Sequence, residues 1–276
     1  MTISEQERQA FKEFEKTGWD KQAEHYNSLI GQTTLQAVEA LLDAVSVRSG
    51  AKLLDVATGP GYVAAEAARR GADAIGVDIS EDMAAEARRR FPGIKVEIGD
   101  AEKLRFTDAS FDSVVCAFGM HFPRPGRAVA EAWRVLRPGG RYAFTVWCGA
   151  AKTRLLALIG EVVQKHADPS VALPAGPGVF TLSDPWICAA LMEAATFTDV
   201  RIEELPCFFA STSQGDLFEI MRKSTVRATY VYDRQSPEMQ SRIEQALKDE
   251  GAKALAADRG RIPCPALLVS GTKANG

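Results

Sequence analysis

No run of about 18 apolar residues occurs in this sequence, so it offers no candidate transmembrane helix. Its opening stretch, MTISEQERQAFKEFEK, is polar and charged and lacks the apolar centre of a secretory signal. Basic residues are not in excess. The 33 Lys and Arg stand against 36 Asp and Glu, a formal net charge of −3, which leaves no electrostatic footprint for nucleic acid. Cysteine is scarce. Cys116, Cys148, Cys188, Cys207 and Cys264 are odd in number, widely spaced and never form CxxC. That pattern predicts buried free thiols rather than disulfides or a metal site. The resulting expectation is a cytoplasmic protein that binds neither nucleic acid nor membrane. There is no internal repeat, and no low-complexity tract beyond a tail that reads as frayed from Lys273 onward.

What is present is an apolar fraction of 46% in 276 residues, enough for a sizeable core. Residues 53–71, LLDVATGPGYVAAEAARRG, organise the rest. A short apolar run predicts a buried parallel strand. A loop, Ala57-Thr58-Gly59-Pro60-Gly61, follows it, and then an alanine-rich helix closed by Gly71. Strand, glycine turn and helix form the first half of a βαβ unit. Gly59 and Gly61 carry no Cβ, so a ligand can approach the main chain, and the helix N-terminus behind them favours an anionic group.

Two further strands sharpen this reading. AIGVDIS ends a second strand at Asp78, and KVEIGDAEKL ends a third near Asp100. Asp55, Asp78 and Asp100 thus recur about one βα unit apart, each at the carboxyl end of a strand, where open α/β sheets bind ligands. Three carboxylates around a glycine loop suit a ligand with a positive charge, an amine and sugar hydroxyls. They suit a pyrophosphate poorly. A fourth strand over residues 110–118, a helix over 126–136, and a fifth strand over 141–147 after the turn Arg137-Pro138-Gly139-Gly140 continue the alternation. Parallel strands joined by helices imply right-handed crossovers and a sheet covered on both faces.

The blocks LLDVATGPG, GVDISEDM, GDAEKLRFTDASFDSVVCAFGMHF and EAWRVLRPGGRYAFT, in that order and spacing, resemble the class I S-adenosylmethionine-dependent methyltransferases. The resemblance is to the branch with ubiquinone and menaquinone C-methyltransferases and many small-molecule enzymes, and it covers roughly residues 50–150. It implies a doubly wound, Rossmann-like α/β fold with a seven-stranded sheet, mostly parallel with an antiparallel last strand between the fifth and sixth, plus a helical cap. It implies S-adenosylmethionine as cofactor and a small organic acceptor, with no metal. Carried over residue by residue, Asp55, Ala57, Gly59 and Gly61 would face the methionine part. Asp78 would accept from the ribose hydroxyls with Ile79 and Met83 beside the adenine, and Asp100, Ala101 and Glu102 would line the adenine side. The backbone around Phe118 would lie near the sulfonium.

The remaining segments read as a single domain's additions. Residues 1–49 are N-terminal helices, with one amphipathic helix over 4–17 and another over 32–48. Trp19 and Tyr26, seven apart, share a helical face and are either a lid over the cofactor or anchors to the core. Residues 50–149 hold the cofactor. Residues 150–182 and 210–262 are expected to choose the acceptor, with aromatics such as Phe218 and Tyr230, while the cations Arg222, Lys223 and Arg227 read first as a solvated face and second as a contact for a substrate carboxylate. Residues 183–209 and 263–274 complete the sheet, with a helix capped by Ser183, a sixth strand over 200–209 and a last strand over 265–272. Helices over about 214–230 and 237–259 lie between them.

His121 follows the fourth strand at the ligand edge and is the candidate general base, against a packing role. Two other function classes stay open on the sequence. Gly59, Gly61 and Ala64 also satisfy GxGxxA, as an NAD-dependent oxidoreductase would. A cofactor-binding module without chemistry would keep the same loop.

Overall fold

The structure is a computed structural model that describes residues 3–27, 29–211 and 216–275. The chain divides into two compact units. One comprises Met1–Thr33, Gly149–Gly176 and Pro206–Pro265, and the other Thr34–Cys148, Pro177–Leu205 and Ala266–Gly276.

The second unit is built on strands β1 (Lys52–Val56), β2 (Asp73–Asp78), β3 (Lys95–Ile98), β4 (Phe111–Ala117), β5 (Leu136–Trp147), β6 (Phe197–Leu205) and β9 (Ala266–Lys273). They form one seven-stranded sheet in the order β3-β2-β1-β4-β5-β9-β6. β1 pairs in parallel with β2 and β4, while β9 runs antiparallel between β5 and β6. This is the doubly wound, Rossmann-like topology expected. Successive residues point to opposite faces, and both faces are apolar. Leu54, Val114 and Phe144 pack beneath α6 (Pro125–Val135) and α8 (Pro185–Ala194). Their neighbours Leu53, Val115 and Ala143 pack beneath α3 (Val38–Ala44) and α4 (Tyr62–Arg69). Helix α5 (Glu81–Arg90) covers β3 through Ala84, Ala87 and Val96.

The first unit is helical: α1 (Glu5–Tyr26), α2 (Ile30–Thr34), α7 (Arg154–His166), α9 (Asp216–Ser224), α10 (Val226–Asp233) and α11 (Pro237–Ala257), with a two-stranded ribbon of β7 (Phe208–Ala210) and β8 (Arg261–Pro263). A capping box fixes the start of α1: Ser4 accepts from the Glu7 N–H, and the Glu7 carboxylate accepts from the Ser4 N–H. Leu155, Leu217, Ile220, Met221, Ile243 and Leu247 are among its buried apolar residues. No described helix is long and apolar enough to cross a membrane. All five cysteines are buried free thiols, as the spacing predicted.

Several boundaries differ from the sequence expectation. Helix α1 runs unbroken through Thr17 to Tyr26. The 32–48 helix is broken: a 3-10 turn, Leu35–Ala37, separates α2 from α3, which ends at Ala44. Arg137-Pro138-Gly139-Gly140 lies within β5 as a register irregularity, not before it. The expected sixth strand stops at Leu205, because Pro206 has no N–H to continue the ladder; Phe208 then starts β7 against β8. The expected start near Gln214 lies outside the described residues, and that helix divides at Thr225 into α9 and α10. Asp184, not Ser183, caps α8, accepting from the Trp186 N–H, with Pro185 in the first helical position.

The tail also begins later than expected. Lys273 is the last residue of β9 and is only 8% exposed. Its ammonium donates to the carbonyls of Trp133 at 2.8 Å and Leu136 at 2.7 Å and sits 3.8 Å from the Trp133 ring centroid. It thereby caps the negative end of α6. Lys273→Met keeps the stem and removes the donors. It should lower unfolding free energy by about 1–3 kcal/mol, read as a lower urea midpoint at unchanged slope.

Candidate functional site

The carboxyl edge of the sheet is stitched loop to loop. After β1 the Thr58 N–H donates to the Val77 carbonyl at 3.0 Å, and the Gly59 N–H donates to the Asp78 carboxylate at 2.8 Å. After β2 the other Asp78 oxygen accepts from the Ser80 N–H at 2.9 Å, while the Gly99 N–H donates to the Asp78 carbonyl at 2.9 Å. After β3 Asp100 accepts from the Glu102 N–H at 2.9 Å, and Glu102 receives the Arg124 guanidinium at 2.5 Å, at the residue that caps α6. After β4 the Phe118 N–H donates to both the carbonyl and the hydroxyl of Thr145 on β5, each at 3.1 Å. The Phe118 and Trp147 rings lie 4.0 Å apart.

Two residues on this edge hold conformations that L side chains rarely adopt. Ala57 has φ 56° and Phe118 has φ 56°, each directly after a neighbouring parallel strand. Their loops touch: a Cβ at Gly119 would come within 2.4 Å of the Ala57 Cβ. Strain of about 1–3 kcal/mol per residue persists where the surroundings over-determine it, and it concentrates at ligand sites.

The two loop glycines differ. Gly61 (φ 86°) starts α4, and a Cβ there would press within 3.0 Å of Ala87 and Ile94, so it serves packing. Gly59 (φ 52°) has nothing within 4 Å of where a Cβ would stand. Its bare main chain faces open space and is the cradle in this loop that a ligand can enter.

Asp55 sits on β1 beneath the loop and is fully buried. One carboxylate oxygen accepts from the Thr58 hydroxyl at 2.6 Å and the Ala64 N–H at 3.1 Å, so it caps α4 from outside the helix. The other oxygen is buried with no hydrogen-bond partner. Burial pushes the carboxyl from the ordinary 3.8 up to about 7; the Thr58 and Ala64 hydrogen bonds oppose that rise and the nearby Asp78 charge adds to it. The folded state therefore binds more protons than the unfolded chain between pH about 4 and 7. Asp55's contribution to stability is full below the unfolded value and is lost as pH rises through the folded one. Asp55→Asn should flatten that part of the curve: wild type minus variant should drop between about pH 4 and 7 in urea melts.

His121 is 4% exposed, in the loop after β4, with its ring edge-on to Phe122 at 6.0 Å. Met83 is buried at the start of α5, where its N–H donates to Ser80, and Ile79 and Ala101 are half-buried. Trp19 and Tyr26 contact each other edge-on at 5.9 Å on α1 of the helical unit. There, Arg222 pairs with Asp233, Lys223 with Glu219, and Arg227 with Glu15. Among the described residues no group of three or more His, Cys, Asp or Glu is placed to hold a metal ion.

The structure thus gathers Asp55, Ala57, Gly59, Gly61, Asp78, Ile79, Met83, Asp100, Ala101, Glu102, Phe118 and His121 on the strand ends, loops and first helix turn of one sheet edge. Sequence reasoning missed Thr58, Ser80, Arg124 and Thr145, whose hydroxyls and guanidinium hold that edge together. The arrangement fits a cationic cofactor: an open glycine cradle, a carboxylate with an orphan oxygen below it and a second carboxylate beside it.

Comparison with known proteins agrees with this geometry. A family described as "Methyltransferase domain" matches residues 54–144. Demethylmenaquinone methyltransferase of Deinococcus radiodurans is 34% identical over 179 residues, 58% of this chain and 71% of that protein. The same-named protein of Beutenbergia cavernae is 38% identical over 131 residues, 47% of this chain and 55% of that protein. For the latter the chain spans about half the relative's length. Among solved structures, Haemonchus contortus phosphoethanolamine N-methyltransferase 2 in complex with S-adenosyl-L-methionine aligns with a TM-score of 0.60 at 18% identity, covering 99% of this chain and 60% of that one. The YcgJ protein of Bacillus subtilis aligns with a TM-score of 0.58 at 19% identity, covering 87% and 99%. These two likenesses show the shared fold, and the identity to the Deinococcus protein over most of its length shows the family: the chain belongs to the class I S-adenosylmethionine-dependent methyltransferases.

Proposed function

We propose that this protein transfers a methyl group from S-adenosylmethionine to a small organic acceptor. The observation that carries the reading is the Gly59 main chain, open at its Cβ position and held by the Asp78 carboxylate, with the orphan oxygen of Asp55 beneath the same loop. When bound, the cofactor supplies a methyl group on a sulfonium, a good leaving group. Gly59 would admit it closely, Asp78 would accept from its ribose hydroxyls, and Ile79, Met83 and Ala101 would provide apolar surface for the base. Asp100 and Glu102 fix the β3 loop that borders it.

His121 is proposed as the general base. A neutral imidazole in a water-poor loop can take a proton from a phenol, an amine or an activated carbon as the acceptor attacks. Acceptor choice is assigned to the helical unit, with Phe218 and Tyr230 among its residues. The names of the curated relatives make a quinol-like ring one of the acceptors to try first.

The test is binding followed by turnover. Calorimetry should show S-adenosylmethionine binding and no comparable NAD binding. A screen of phenols, aromatic acids, amines and quinone-like compounds should then yield a product heavier by one methylene, read by mass. Tight NAD binding with no S-adenosylmethionine binding would overturn the reading.

A further inference from the structure

The orphan oxygen of Asp55 has a consequence for how the cofactor binds. The carboxyl is fully buried, and both its hydrogen bonds, from Thr58 and Ala64, fall on one oxygen. The other oxygen has no hydrogen-bond partner. An ionised carboxylate in that setting would lack the donors and the counter-charge that buried ions require.

The described surroundings of Asp55 supply no cation. From β2 the facing titratable group is Asp78, which is also acidic. From β4 it is the Cys116 thiol, itself held neutral by burial. Helix α4 brings the Ala64 N–H and the apolar side chains of Val63, Ala64 and Ala67, and α3 brings Leu41 and Leu42. Among the described residues, no Lys, Arg or His forms an ion pair with Asp55. The missing counter-charge is of the kind that a sulfonium and an ammonium together bring.

We propose that Asp55 is a proton-exchange site for the cofactor: the empty protein keeps this carboxyl protonated, and binding of S-adenosylmethionine expels the proton to solvent. This rests on the cofactor reading above. The step balances simply: the carboxyl O–H bond breaks, its electron pair stays on Asp55, the proton goes to buffer, and the cofactor's positive charge takes its place. Affinity for the cofactor is then linked to pH through a group that makes no contact with the acceptor. Below neutrality the protein must surrender a proton to bind, so acidification releases cofactor. The elevated proton affinity of the buried carboxyl, near pH 7, places the response in the physiological range.

The experiment is calorimetric titration of the full chain with S-adenosylmethionine at pH 6.5, in buffers of different ionisation enthalpy, repeated on Asp55→Asn and His121→Gln. The carboxamide of Asp55→Asn keeps an acceptor oxygen for Thr58 and Ala64 and has no titrating proton. The expected result is release of most of one proton by the wild type and by His121→Gln, and none by Asp55→Asn. The wild-type dissociation constant should tighten by roughly 8-fold from pH 6 to pH 7.5, and that of Asp55→Asn should stay flat. Binding with a buffer-independent enthalpy in the wild type overturns the proposal while leaving the cofactor reading intact, and needs no variant. Proton release that survives in Asp55→Asn but vanishes in His121→Gln also overturns it, moving the proton to the histidine. No binding of S-adenosylmethionine at all defeats the cofactor reading, and this proposal with it.

Discussion

His121→Ala should lower turnover on a phenolic or amine acceptor by about 100- to 10,000-fold and leave cofactor affinity nearly unchanged. The reason is the place of the side chain. It sits in the loop after β4, three residues beyond Phe118, and is buried at 4% exposure. A base in such a place can hold its proton acceptor in one orientation, away from competing water. If His121 is the base, its ring must be neutral to act, so turnover should fall toward acid pH. That acidic limb should disappear in the variant. A carboxylate acceptor needs no deprotonation; with such a substrate the wild type should show no limb from His121 and the variant a smaller loss. Near-normal turnover by the variant with an unaltered pH profile, on a phenol or an amine, would remove the base and leave a packing histidine.

Asp78→Ala should weaken S-adenosylmethionine binding by about 10- to 100-fold. Asp78 is expected to act twice. It accepts from the Gly59 N–H and the Ser80 N–H, so it fixes the glycine cradle and the entry to α5 before any ligand arrives. It is also the proposed acceptor for the ribose, since a carboxylate can accept several hydrogen bonds at once. Alanine removes both actions; asparagine keeps an oxygen for one loop N–H and should fall between. Calorimetry on variants whose circular dichroism matches the wild type separates lost affinity from lost folding. Unchanged affinity in Asp78→Ala would show that the ribose is held elsewhere.

The order of the sheet was readable because each βα repeat carries its own signals: an apolar run, an acid at its end and a helix start. The boundaries that went wrong are those decided by partners far along the chain. Residues 200–209 read as one strand because the apolar pattern runs on past Pro206. Only the two separate ladders, Leu205 against Ala266 and Phe208 against Pro263, show two strands. For α8 the deciding signal was in the sequence: Pro185 favours the first helical position, which makes Asp184 the cap. At the site, the strand-end acids were legible because acids there have a regular spacing. Thr58 and Thr145 were not, because a threonine hydroxyl gains its meaning from the group it meets across a loop or a neighbouring strand. The burial of Asp55 was also hidden: the structure sets it under the loop, with one oxygen holding α4 and the other without a hydrogen-bond partner.

The central position of β9 bears on how this protein is made. Synthesis runs from the amino end, and β9 begins only at Ala266. Before it emerges, β6 lacks its sheet neighbour, and β5, whose last six residues are buried in the finished molecule, is an open edge. The nascent chain thus carries an unpaired apolar edge from the completion of β5 at Trp147 until Ala266 emerges, a template for wrong pairing with other chains. A product truncated before Ala266 would keep that edge uncovered, and such products should reach the cell's quality-control proteases rather than persist as weakened enzyme.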